Sequence, residues 1–122
     1  MVNREIAPFV SILVEKIEEL NYRARDISLN SLIGIFKEPR INISMLIEKI
    51  MDITDRLNPA KAPWRIILGR LEILHQIFKQ LGYDQAKWDW IPVFENLVAP
   101  SLLHANPEVR LLAIEVIIIF YQ

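Results

Sequence analysis

Cysteine is absent from the 122 residues. That excludes a disulfide framework, a thiolate nucleophile and a cysteine-based zinc site, and it suits a reducing compartment. Glycine is scarce, at three residues, so phosphate-cradling glycine loops have no place to form and hairpin turns have few. An excess of basic charge is also missing. The formal net charge is −1, without the electrostatic footprint of a nucleic-acid binder. No apolar run is long enough to span a bilayer. The start, Met1-Val2-Asn3-Arg4-Glu5, has neither the apolar stretch nor the cleavage site of a signal peptide. The expectation is a cytosolic or cytoskeletal protein that binds neither nucleic acid nor membrane.

What is present is apolar and helical. Hydrophobic residues make up 52% and charged residues 24%, enough for one domain with a substantial core. The pattern predicts six helices. The first covers about 4–20, with Asn3 as cap, Pro8 near its first turn, and a core stripe of Phe9, Ile12, Leu13, Ile17 and Leu20. The second covers 23–36, with Ala24, Ile27, Ser28, Leu32 and Ile35 facing the core, and stops before Pro39. Asn42 caps a third over 43–56. A turn from Leu57 to Pro63 leads to a fourth that runs to Leu81, with Pro63 suited to its first position. There Ile67, Leu71, Leu74, Phe78 and Leu81 form the stripe, and Gly82 is suited to a left-handed cap. Asp89 caps a fifth over 90–103, which Pro100 is expected to bend by removing the hydrogen bond to the Asn96 carbonyl. Asn106 and Pro107 start the sixth, which continues to the chain end.

The helices repeat in pairs, over about 4–37, 42–81 and 88–122. Ala24-Arg25-Asp26-Ile27-Ser28, Trp64-Arg65-Ile66-Ile67-Leu68 and Val109-Arg110-Leu111-Leu112-Ala113 open the three second helices alike. Their arginines stand 40 and 45 residues apart, within the roughly 40–47-residue period of HEAT and armadillo arrays. Ile6-Ala7-Pro8-Phe9-Val10 and Trp90-Ile91-Pro92-Val93-Phe94 match among the first helices. The pattern resembles an all-α solenoid of three HEAT-like pairs. Val116-Ile117-Ile118-Ile119-Phe120 is apolar around most of its helix where a terminal repeat normally turns a polar face outward, so a partner or a further repeat is expected to cover it.

Catalysis has no visible constellation. His75 and His104 lack convergent ligands and read as packing or surface residues; Glu48, Asp52 and Asp55 read as solvated. No catalytic, cofactor or metal residue is assigned. The candidates are instead the turns within each pair, which a solenoid brings to one edge. They carry Asn21, Tyr22, Arg23 and Arg25; then Lys61, Trp64 and Arg65; then His104, Asn106 and Arg110. Aromatic and basic residues together suit protein binding. Arg25, Arg65 and Arg110 also suit a structural role, pairing with an acid of a neighbouring unit. Trp64 fits either a buried anchor or a contact, and Trp88 and Trp90 read as packing.

Three stretches are similar to TOG domains, HEAT arrays that bind tubulin: Tyr22-Arg23-Ala24-Arg25-Asp26 through Phe36, Leu68-Gly69-Arg70-Leu71 through Gly82, and Glu108-Val109-Arg110 through Gln122. The chain resembles the C-terminal half of such a domain from a centrosomal protein of the ciliary tip. The resemblance implies αβ-tubulin or the microtubule end as partner, contacted through the intra-pair turns, with Tyr22, Arg23, Lys61 and Asn106 in those turns. It also implies a place at the centrosome or cilium, among other proteins there. A full TOG array is longer, and its tryptophan-bearing first turn has no equivalent here, since Trp64 falls in a later turn. The other reading from the sequence is a scaffold that docks or self-associates through Ile118, Ile119 and Phe120.

Overall fold

Apolar residues recurring every three to four positions generate helices, and the chain is all-α. The computed structural model describes residues 2–18, 22–38, 43–52, 58–80 and 90–121, with no strand among them. The helices are α1 (Val2–Ile17), α2 (Tyr22–Phe36), α3 (Ile43–Met51), α4 (Trp64–Gln80), α5 (residues 91–101) and α6 (Pro107–Phe120). No helix among the described residues is long and apolar enough to cross a membrane. The chain divides into two compact units, Met1–Ile50 and Met51–Gln122.

In the first unit α1 packs on α2 across a short connection, an αα-hairpin. Asn3 lies inside α1, which starts at Val2, so it does not cap. The core stripe of α1 is Val10, Val14 and Ile17; Phe9 and Ile12 are 60% and 52% exposed. Of the stripe expected for α1, Ile17 alone among the described residues is in the core, and Leu20 lies outside the described residues. The six residues from Phe9 to Val14 hold five apolar side chains, so two adjacent stripes satisfy helical spacing and packing selects one. α2 buries Ser28, Leu32, Ile33 and Phe36, whereas Ile27 is exposed rather than buried. α3 buries Leu46, Ile47 and Ile50, and its Lys49 lies 3.9 Å from Glu15 of α1. That pair is solvated and contributes little.

In the second unit α4 is the central element. Ile67, Leu68, Leu71, Ile73, Leu74, Ile77 and Phe78 are buried, in keeping with the expected stripe. α6 lies along α4 and also touches α5. Its buried residues are Val109, Leu112, Ala113 and Val116, at the i, i+3, i+4, i+7 positions of one face. Leu111, Ile114, Ile118 and Tyr121 fall on the other face and are exposed.

α5 departs from regular geometry where Pro100 removes a donor. Ile91–Val93 is α-helical, Phe94–Val98 is a π-helical turn and Ala99–Ser101 is α-helical again. The Ala99 N–H bonds Phe94 O, five residues back, so the turn widens immediately before the proline. Buried Ser101 then donates its hydroxyl to Leu97 O at 2.6 Å. Trp90, not Asp89, stands at the N-cap, and α5 ends at Ser101, two residues before the expected end. Asn42, Asp55, Leu81, Gly82, Trp88 and Asp89 lie outside the described residues.

The far ends of these helices meet in an aromatic cluster. Phe78 lies edge-on to Trp90 at 4.8 Å and to Phe120 at 5.1 Å, and Phe94 contacts Phe120 at 4.7 Å between centroids. Trp90 is buried, in keeping with a packing role, and its Nε1 has no hydrogen-bond partner among the described residues.

Candidate functional site

The turn before α4 is built by Asn58. Its Oδ1 accepts from the Ala60 N–H at 3.0 Å, and its carbonyl accepts from Lys61 and Ala62 at 2.8 and 2.9 Å. An asparagine folding the chain back on itself in this way makes a tight turn without glycine. Pro63 follows, and its carbonyl accepts from Ile66 and Ile67, which places it just before α4 rather than at the first helical position. Lys61 is exposed. Trp64 is half-buried, and the exposed Arg65 guanidinium lies 5.2 Å from the centre of its ring. Stacking of this kind holds a cation over an aromatic face at a small energetic gain.

The turn before α6 closes by a different route. Asn106 Oδ1 accepts from the Glu108 N–H at 2.8 Å, the expected cap, with Pro107 at the first helical position. Arg110 Nη1 donates to His104 O at 2.7 Å and to Ala105 O at 2.9 Å. The expectation that Arg110 pairs with an acid of a neighbouring unit is therefore corrected: it closes its own turn.

His104 joins the two turns. Its Nε2 lies 2.6 Å from Ala62 O, and its Nδ1 accepts from the Asn106 N–H at 3.0 Å. The carbonyl requires a donor and the N–H requires an acceptor, so the geometry selects the neutral ring with its proton on Nε2. Lys61, Trp64, Arg65, Asn106 and Arg110 thus stand on two hydrogen-bonded turns of one unit.

The other candidates belong to the first unit. Arg23 is exposed and Arg25 half-buried, both in the first turn of α2. Tyr22 opens α2, but its side chain lies outside what is described, as does Asn21 altogether.

Sequence reasoning passed over Arg70. It occupies the buried face of α4, and its Nη2 lies 3.4 Å from Asp52 Oδ1. Asp52 is therefore paired rather than simply solvated. The signal available was a lone arginine between Ile67, Leu71 and Leu74 on a face otherwise apolar. Among the described residues no group of three or more His, Cys, Asp and Glu is placed to hold a metal ion.

No protein-family model matches the chain, and no curated protein or solved structure matches it either.

Proposed function

We propose that this chain is a non-catalytic, HEAT-type protein-binding module that engages αβ-tubulin through its intra-pair turns, in the cytoplasm at the centrosome or cilium. One observation carries the reading: the turns before α4 and α6 are hydrogen-bonded to each other and present Lys61 and Arg65 to solvent. Exposed cations on such an edge steer an acidic partner and set its register. Tubulin is the acidic partner that the TOG resemblance implies, and the fold read in this way is a short solenoid of helix pairs.

The test is size-exclusion chromatography with light scattering of the chain mixed with soluble αβ-tubulin, at low and moderate salt. Comigration at low salt that disappears in an Arg23→Glu, Lys61→Glu variant supports the reading. A chain that elutes apart from tubulin at both salts overturns it.

A second reading has its own observation. Leu111, Ile114, Ile118 and Tyr121 line the outer face of α6, spaced 3, 4 and 3 residues apart. An apolar stripe of this kind is a docking feature for a scaffold. Of the residues first assigned to that role, Ile118 is on the stripe, while Ile119 and Phe120 are half-buried. Association that resists salt and is lost in an Ile114→Glu, Ile118→Glu variant supports this scaffold reading instead.

A further inference from the structure

His104 supplies the bond that joins the two turns, and its surroundings fit neither a surface residue nor a plain packing residue. It is 7% exposed, and every polar group it offers on the side chain is used. Its carbonyl is used as well, by Arg110. One residue thereby ties together the turn before α4, the turn before α6 and the first turn of α6.

The two ring bonds differ in reach. Asn106 is two residues away, and an acceptor on any short side chain can meet its N–H in the manner of an Asx turn. Ala62 is 42 residues away in sequence, and the His104–Ala62 bond is the one hydrogen bond between the two turns among the described residues. Ala62 itself is buried, so without the imidazole its carbonyl faces the cost of an unmet acceptor. Among the described residues, the turn that presents Lys61 is thus hydrogen-bonded from outside at a single point, one residue after the lysine.

We infer that His104 is the positioning residue of this edge: as the neutral, Nε2-protonated ring it sets the turn carrying Lys61 in register with the turn carrying Asn106 and Arg110. The purpose of that register rests on the binding reading proposed above; the clamp itself does not.

Two variants separate the bonds. In His104→Gln the side-chain amide reaches as far as Nε2 and keeps the bond to Ala62 while losing the one to Asn106. In His104→Asn the side-chain oxygen takes the place of Nδ1 and keeps the bond to Asn106 while losing the one to Ala62. The readouts are amide hydrogen exchange of the full chain by NMR, the nitrogen shifts of the His104 ring in the wild type, and comigration with αβ-tubulin.

The wild-type ring is expected to show a protonated Nε2 and a bare Nδ1. In His104→Asn the Lys61 and Ala62 amides, both bonded to Asn58 O, are expected to exchange about tenfold faster, the factor that one ordinary hydrogen bond supplies. The Leu71 and Leu74 amides in the middle of α4 keep their protection. In His104→Gln the Lys61 and Ala62 amides stay close to wild type, and tubulin comigration survives in Gln and weakens in Asn.

A protonated Nδ1 in the wild type overturns the inference. So does a His104→Asn variant with unchanged turn amides. Lost protection throughout α4 in both variants overturns it too, because His104 then acts only on global stability. If the exchange pattern appears and the wild type does not comigrate with tubulin, the tubulin reading falls and the positioning role stands.

Discussion

Arg70 Nη2 lies 3.4 Å from Asp52 Oδ1, with the arginine 4% exposed and the aspartate side chain 33% exposed. α4 thus carries a cation on the face that holds Ile67, Leu71 and Leu74, and a carboxylate just past the end of α3 answers it. A buried guanidinium has lost much of its hydration, and removing a partner costs more than the intact pair contributes.

Asp52→Ala is expected to cost about 2 kcal/mol, below the range for a fully buried pair because water still reaches the carboxylate. In an Arg70→Met background the same substitution should cost under about 0.5 kcal/mol, since the charge to be matched is gone. Urea unfolding of the four proteins in this cycle measures both numbers. Equal costs in the two backgrounds would show that the pair contributes no coupling.

Arg110 and Lys61 should separate stability from binding. Arg110→Ala loses two charge-assisted bonds to the carbonyls of its own turn and is expected to cost about 1–2 kcal/mol. Lys61→Glu, on an exposed side chain, should change stability by less than about 0.5 kcal/mol. Thermal unfolding of each variant, beside its comigration with tubulin, distinguishes a turn residue that supports the edge from one that touches the partner.

The two faces of α6 make opposite predictions. Val116→Ala opens space against α4 and should cost about 2 kcal/mol. Ile118→Glu, at a position 54% exposed, should leave the melting temperature almost unchanged. Calorimetry on both is decisive: a large loss from Ile118→Glu would mean that this side chain is covered.

Phe78→Ala removes the ring that Trp90, Phe94 and Phe120 all contact. The cavity is expected to cost about 3–5 kcal/mol, enough to unfold partly at room temperature a domain at the low end of the ordinary range of about 5–15 kcal/mol. Near-ultraviolet circular dichroism, which reports fixed aromatic packing, should lose most of its intensity with this one substitution.

The legible parts of this molecule are those set by local spacing and local chemistry. α4 declares its buried face because Ile67, Leu71, Leu74 and Phe78 recur at one phase, and Asn106-Pro107 marks the start of α6 through its own side-chain bond. α1 does not declare its face. Val10 and Phe9 are equally apolar, so the phase is chosen by what α1 packs against. Pro100 announces a disturbance, but the sequence does not say whether the helix bends or widens into a π turn. The candidate edge was partly legible: Asn58 and Asn106 are turn residues by type, and Lys61 and Arg65 are exposed cations. The His104–Ala62 bond, 42 residues apart in the chain, and the Arg70–Asp52 pair, 18 apart, arise only when helices come together.

The aromatic cluster and the turn edge lie at opposite ends of α4, and in a Trp88→Phe variant, which removes the third tryptophan, that separation gives the chain two optical reporters. Trp64 opens the helix beneath Arg65, while Trp90 sits against Phe78 in the last turn. Fourteen helical steps of 1.5 Å put Phe78 roughly 20 Å along the axis from Trp64. Trp90, enclosed by hydrocarbon, should emit toward the blue, and Trp64, half in water, toward the red. Iodide should quench the red component first, and a partner docking on the turn before α4 should shield that component while the blue one stays constant.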